Sequence, residues 1–506
     1  MSTGEMGTVE ARSTAGSGAA GSGVEGSGEA GPAAVDAARA AAPANPRPLF
    51  LQRRFLPLWT ALSFGTFADN VLRQALLIGV PYGAIALPGV ANPDDAMPVI
   101  GALLPAAILI FSTVSGQLAD KYETSLMFRR TKVVELALMA VAGASYALGL
   151  GWLCVASLFA MGAQSAFFSP VRIGAMPKYL ATDELVRGNG ICNAGLFTFI
   201  LLGYAVGGYL IVLEGGGGYV ALALVAAAAI GYAAARLTPF AAANEPGLRL
   251  DWNAPRQIGK AFGYVTRARG VLPPLLGVAA FYFLTTPVTV VTPLFARETL
   301  NAEPIVAVAL NGLFAIGACV GALTAAGIAK GRSGLGHSVA AVMAAGVVTM
   351  LAPLVAPLVA DGGIADGVGD LAPGFDEAAN PVFTLGMLFG TGGGLAIVLI
   401  FVAASALMGV YVAPLQAAIQ RRAPGPVRAR IMAASAFANA AFALPGSLSI
   451  LFVTRTGVDP SLAFAGVGFG MLAVGGVMLR RHGSLPERLY DEALTGGNAG
   501  PGRAID

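Results

Sequence analysis

Apolar residues run along this chain in blocks of about twenty, the length an α-helix needs to cross the hydrocarbon core of a bilayer, with short polar stretches between them. The blocks fall at 57–81, 97–119, 131–150, 152–172, 188–212, 218–239, 272–295, 304–328, 337–360, 396–419, 430–453 and 459–479. The pattern predicts an all-α membrane protein with twelve transmembrane helices. Little more than Gly151 separates the third block from the fourth, which predicts a tight helical hairpin at one membrane surface. The stretch 383–395, FTLGMLFGTGGGL, is ambiguous: it can open the tenth helix early, re-enter the membrane or belong to the preceding loop. Its run Gly392 to Gly394 favours a loop, because glycine is costly inside a helix.

Two segments stand outside the pattern. Residues 1–48 are mostly Gly, Ala, Ser and Glu, too poor in large apolar side chains to offset the entropy of ordering, and are expected to form a disordered tail. No basic start followed by an apolar run and cleavage site is present there, so the tail does not read as a secretory signal. A long polar stretch at 241–270 divides the apolar blocks into 49–240 and 271–481, with a short polar tail at 482–506. Trp252 within it is expected to lie at the membrane surface.

Charge supplies orientation. Lys121, Arg129, Arg130 and Lys132 follow the second block, Lys178 and Arg187 the fourth, Arg249, Arg256, Lys260, Arg267 and Arg269 the sixth, Lys330 and Arg332 the eighth, and Arg421, Arg422 and Arg428 the tenth. Connections after odd-numbered blocks hold Asp94, Asp95, Asp361, Asp366, Asp370, Asp376 and Glu377, with Arg297 and Arg455 as basic exceptions. Basic loops stay on the cytoplasmic side, so both termini are expected there. The acidic loop after the ninth block then faces outward.

The chain also repeats itself. SPVRIGAMPKYLATDELVRGNGICNAG after the fourth block matches APLQAAIQRRAPGPVRARIMAASAFANA after the tenth: a small residue and proline, a basic turn, then an arginine leading a helix to Asn193 or Asn439. GQLADKYETSLMFRR after the second block has a reduced counterpart, GIAKGRSG, after the eighth. Two related six-helix bundles are expected.

Composition narrows the function classes. Charged residues make up 12% of the chain and apolar ones 56%, a balance that excludes an ordinary cytosolic enzyme. Basic residues are scattered between apolar blocks in no continuous stripe, which argues against a nucleic-acid partner. Cys154, Cys192 and Cys319 lie inside apolar blocks without metal-binding spacing, so neither metal nor cofactor is expected. The chemistry that stands out is polar residues inside the membrane. Asp69 and Arg73 sit one helical turn apart in the first block, where a charge at mid-bilayer costs about 2.5–3.5 kcal/mol and so faces a bundle interior or a watery path. Gln164, Arg172, Asn189 and Asn193 are further intramembrane polar residues that either meet a cargo or join helices. Glu135 is close enough in sequence to pair with Lys132.

Twelve blocks in two related halves, split by a long central loop, resemble the major facilitator superfamily, whose substrates sit between two rocking halves near the midplane. GQLADKYETSLMFRR looks like the loop motif of that superfamily. In it Gly116 is expected to permit close helix approach, Asp120 to accept hydrogen bonds at a helix end, and Arg129 and Arg130 to bridge helix ends or lipid phosphates; a purely topogenic basic loop is the alternative.

Four pieces read together carry a finer likeness: FADNVLRQALL, GQLADKYE, QSAFFSPVRIGAMPKYLATDELVRGNGICNAGLFTFILLGYAVGG and GVYVAPLQAAIQRRAPGPVRARIMAASAFANA. They resemble the lysophospholipid transporter family, including the transporter part of fusions with acyltransferase and acyl-ligase domains. The likeness is strongest over 61–210 and 409–440. It implies flipping of lysophosphatidylethanolamine and lysophosphatidylglycerol from the outer to the inner leaflet of a bacterial cytoplasmic membrane, for reacylation by an acyltransferase or acyl-ligase partner. No catalytic site accompanies it: neither His337 nor His482 begins an HxxxxD pattern, so the chain is expected to be a transporter and not an enzyme.

On this reading Asp69 and Arg73 are expected to neutralise each other in the empty path and to separate when an ammonium and a phosphate arrive; a structural ion pair that locks the first helix to the bundle is the alternative. Asp69 and Asn70 lie in the part the resemblance carries over, whereas Arg73 does not. Arg172 stands where the family commonly has a basic residue, often lysine, and is expected either to bind phosphate with two parallel hydrogen bonds or to snorkel to the cytoplasmic headgroups. The seventh block departs from the family, offering Thr285, Thr286, Thr289 and Thr292 where relatives more often place a basic residue. Two rival readings share the pattern: a drug or small-metabolite efflux carrier of the same fold, coupled to protons through Asp69, and a membrane scaffold for an acyltransferase.

Overall fold

The computed structural model describes residues 49–180, 184–243, 246–248, 251, 253–329, 335–362, 382–424 and 427–482, all within the compact unit Arg47–Asp506. The expectations placed on the N-terminal tail, Trp252, the segment 363–381 and the tail after 482 lie outside the described residues.

Long helices dominate: α1 (Leu56–Gly79), α2 (Ala96–Lys121), α3 (Thr124–Ala147), α4 (Gly151–Tyr179), α5 (Leu185–Ile211) and α6 (Gly216–Arg236), then the amphipathic α7 (Ala254–Arg267) in the central loop. The second series comprises α8 (Leu272–Leu294), α9 (Pro304–Ala329), α10 (Leu335–Thr349), α11 (Ala352–Gly362), α12 (Leu385–Gly390), α13 (Gly392–Arg422), α14 (Arg428–Leu448), α15 (Ile450–Thr456) and α16 (Ser461–His482). Ten helices among the described residues are long and apolar enough to cross a membrane, which makes this a multi-pass membrane protein. Two further 24-residue helices, α1 and α3, fall outside that set. They carry Asp69 and Arg73, and Arg129, Arg130, Lys132 and Glu135, respectively. Their polarity is compatible with the bundle because α1 packs against α5 and α6, and α3 against α4 and α6.

Turns and breaks follow local chemistry. The α3–α4 hairpin closes in three residues, with Gly149 at φ +68° where a side chain would be strained. Gly151 enters α4 so close to Ala86 that a Cβ would lie 2.1 Å from its carbonyl oxygen. The ninth apolar block is broken at Met350–Leu351, just before Pro353, which has no N–H to continue the helix. The glycine run at 392–394 forms the first turn of α13 and not a loop. Thr391 caps that helix by accepting from the Gly394 N–H at 3.0 Å, and a Cβ on Gly394 would lie 2.5 Å from the Leu388 carbonyl oxygen. Cap and close packing offset the intrinsic cost of glycine there.

Helices α1 to α6 pack chiefly on one another, as do α8 to α16; the two groups meet mainly through α2 against α14 and α5 against α9. In the second group Phe295, Phe401 and Phe464 pack with ring centroids 5.1–6.3 Å apart. The basic residues Arg54, Arg129 and Lys178 gather at one end, where Arg54 meets Glu184, Arg129 donates to Thr238 O and Lys178 to Thr124 Oγ1. Asp94, Asp95 and Asp459 gather at the other.

Candidate functional site

Helix α1 brings the candidate charges to the centre of the first group. Ser165 on α4 donates to Asp69 Oδ2 at 3.2 Å, and Asp69 Oδ1 is buried with no hydrogen-bond partner among the described residues. The expected pairing of Asp69 with Arg73 is not made. Arg73 instead donates to the Tyr204 hydroxyl of α5 at 3.2 Å and to Thr289 Oγ1 of α8 at 3.4 Å, so its guanidinium ties the first helix group to the second. Shared face and helical spacing allow a pair; here partners on neighbouring helices take both charges instead. In α8 Thr285, Thr289 and Thr292 each bond back to their own helix, at Phe281 O, Thr286 O and Val288 O, and Thr289 in addition accepts from Arg73.

A second charge cluster lies directly behind Asp69. Lys132 and Glu135 on α3 form an ion pair with Nζ–O distances of 2.7 and 2.8 Å, at 0% and 1% exposure. Gln164, expected either to meet a cargo or to join helices, belongs to this cluster: its amide donates to Glu135 Oε2 and Thr131 O, both at 3.2 Å. The Lys132 ammonium also stands 4.7 Å above the Phe168 ring. Gly65, one turn before Asp69 on α1, makes room for it, since a Cβ there would lie 2.3 Å from Lys132 Nζ. Glu135, Lys132 and Arg172 are the charges that act on Asp69.

Arg172 lies two turns inside the end of α4, half-buried and without a hydrogen-bond partner among the described residues; its charged or ionisable surroundings are Asp69, Cys192 and Tyr282 of α8. Asn70 turns to its own helix, donating to Thr66 O at 2.7 Å, and its Cβ packs where α5 has Gly203. Gly203 and Gly207 admit α1 this closely: a Cβ on Gly207 would lie 2.5 Å from Val71 O. The side chains of Asn189, Asn193 and Asp120 lie outside the described residues. Gly116 has no described atom within 4 Å of a Cβ position, so the close approach expected of it is not found. Arg129 does bridge to the end of α6, at Thr238 O (2.9 Å), while Arg130 is exposed.

Two features were not read from the sequence. Hydrogen bonds between the helix groups cluster toward the acidic end: Arg297 to Asp94 (2.5 Å) and Pro81 O, Tyr82 to Ala302 O (3.3 Å), Ser447 to Pro98 O (2.8 Å) and Thr454 to Asp95 (2.7 Å). Toward the basic end, an aromatic row links Phe50, Trp59, Phe199 and Phe64 at centroid spacings of 4.7–5.9 Å, with Phe67 6.4 Å from Phe199. Their one sequence signal is aromatic residues at helical spacing, which core packing also produces.

The fold is shared with solved membrane transporters. A solved transporter of the POT family bound to 5-aminolevulinic acid superposes with a TM-score of 0.63 at 13% identity, over 85% of this chain and 96% of that one. A D-xylose–proton symporter superposes with a TM-score of 0.59 at 12% identity, over 84% and 96%. In sequence the chain is similar to lysophospholipid transporter LplT of Pectobacterium carotovorum subsp. carotovorum, 29% identical over 295 residues, 56% of this chain and 66% of the relative. The same transporter of Salmonella typhimurium is 29% identical over 276 residues, 54% and 64%. The matched stretch thus spans just under two thirds of the relatives' own length. No family model matches the chain.

Proposed function

We propose that this protein flips lysophospholipids from the outer to the inner leaflet of a bacterial cytoplasmic membrane, where a partner acyltransferase or acyl-ligase restores the second chain. The reading includes twelve spans in two pseudo-repeated six-helix bundles, α1 and α3 among them, with the basic end and both termini in the cytoplasm. The single observation that carries it is a pair of opposite charges in the first group: Asp69, with an unpartnered oxygen, and Arg172, toward the basic end of α4, whose charge acts on it. An ammonium suits the first and a phosphate the second.

Cargo physics supports the same reading. Each acyl CH₂ costs about 0.8 kcal/mol to bring into water, so the tail is best kept in hydrocarbon while the headgroup crosses a polar interior. The aromatic row from Phe50 to Phe67 leads from the basic end toward Asp69 and offers the tail an apolar flank. Cross-group bonds near the acidic end support a path reached from the basic end.

The test is reconstitution in liposomes with fluorescent lysophosphatidylethanolamine. Wild type is expected to flip it without a soluble drug or sugar as co-substrate. Asp69→Asn is expected to lower the rate by about tenfold or more while the protein stays monodisperse with unchanged melting. Wild-type rates from Asp69→Asn, or no flipping by wild type, would refute the reading.

A further inference from the structure

The buried Lys132–Glu135 pair has no part in the path described above, yet it is expensive to build. Two fully desolvated charges rarely stabilise a protein more than apolar residues of the same size would. Its surroundings are shaped for it: Gly65 leaves space for the ammonium, Gln164 holds Glu135 Oε2, and Phe168 offers its ring face. The adjacent α4 residues Gln164 and Ser165 bind Glu135 and Asp69, respectively, so one turn of helix fixes both carboxylates. Gly65 and Asp69 share a face of α1, and side chains on a helix lean toward its N-terminus, which tilts the Asp69 carboxylate back toward the site of the ammonium. Two carboxylates therefore compete for one lysine. Glu135 holds it, and Asp69 Oδ1 is left unpartnered.

We propose that Lys132 and Glu135 are specificity-determining positioning residues: Glu135 sequesters the Lys132 ammonium from Asp69, which keeps that carboxylate open to cargo carrying a headgroup ammonium. The proposal rests on the lysophospholipid reading and adds a headgroup preference to it. Without Glu135 the lysine would turn to Asp69 and act as a built-in competitor for the cargo's cation. A headgroup lacking an amine, which needs no free carboxylate, would be spared.

The test compares flipping of lysophosphatidylethanolamine and lysophosphatidylglycerol by the full-length protein in liposomes. Glu135→Gln, which keeps the shape and an acceptor for Gln164, is expected to lower the ratio of the two rates by about tenfold. Adding Lys132→Met to that variant removes the competitor and is expected to restore the ratio. A merely structural pair would slow both cargoes equally in both variants, and that result would overturn the proposal while leaving the reading of function intact. Failure of wild type to flip either cargo would instead remove the reading. Should Glu135→Gln not fold, Gly65→Ala serves: its new methyl displaces the ammonium with every charge retained, and the same fall in ratio is expected. An unchanged ratio would count against the proposal.

Discussion

The two helix groups solve the same problem of standing in a membrane with opposite materials. Helices α1, α3 and α4 carry Asp69, Arg73, Lys132, Glu135 and Arg172 away from their ends, whereas α8 to α16 keep arginine, lysine, aspartate and glutamate to their termini and connections. The second group is held by close backbone approach: a Cβ on Gly321 of α9 would lie 1.8 Å from Ala406 O, and one on Gly409 of α13 would lie 2.2 Å from Ala318 O. The first group is held by similar glycines and, in addition, by a buried ion pair, Lys132–Glu135. The difference teaches that intramembrane charge here is local and asymmetric, and that the second group meets it with neutral hydroxyls, Thr289 on Arg73 foremost.

The sharpest way to break this contrast is to unbalance the buried pair. Lys132→Met alone leaves Glu135 enclosed without its counter-ion and is expected to cost about 3–5 kcal/mol, whereas Lys132→Met with Glu135→Leu is expected to be near neutral. Unfolding in detergent followed by circular dichroism measures both. If the double variant is as unstable as the single one, the pair is a structural clamp. The corresponding challenge to the second group is Gly321→Leu. Overpacking against Ala406 is expected to cost about 1–3 kcal/mol or more, read as a lower melting temperature.

Smaller effects sharpen the comparison at the ends. Arg297→Ala removes the bonds to Asp94 and Pro81 that join the groups at the acidic end. Arg297 is 30% exposed, so the pair is expected to be worth about 0.5–1 kcal/mol. That is about a two- to fivefold change in closed population, measured by thiol labelling of a cysteine placed at the buried Ser447. The smallest effect concerns the central loop. Asp251, half-buried outside the membrane-spanning helices, is held below the usual carboxylate range by the Asn253 N–H and the Gln257 and Lys260 side chains. A depressed carboxylate contributes order above its unfolded pKa that is lost as pH falls through its folded one. Limited proteolysis near Asp251 is therefore expected to rise only on strong acidification, and Asp251→Asn to remove that dependence.

The sequence was explicit about elements and sparing about partners. Block spacing located the helices because crossing a bilayer demands length and apolarity, quantities written residue by residue. It misjudged Gly392 to Gly394, since their helical state depends on the Thr391 cap and on packing against Leu388. Among site residues, Asp69 and Arg172 stood out by charge alone. The cross-helix partners Ser165 and Tyr204 did not, and nothing set Thr289 apart from its three neighbouring threonines, because a hydroxyl in an apolar helix bonds equally well to its own backbone, as Thr285 and Thr292 do.

By itself, then, the order of residues determined where the long apolar helices fall, which connections are basic and which helices carry charge. Only the tertiary structure decided which charges meet: Arg73 passes over its neighbour Asp69 for Tyr204 and Thr289, and Gln164 turns from the path to Glu135. The reason is physical. Apolarity is a property of each residue in its solvent, but in a medium without water a buried charge can be met only by the groups that packing brings within about 3 Å.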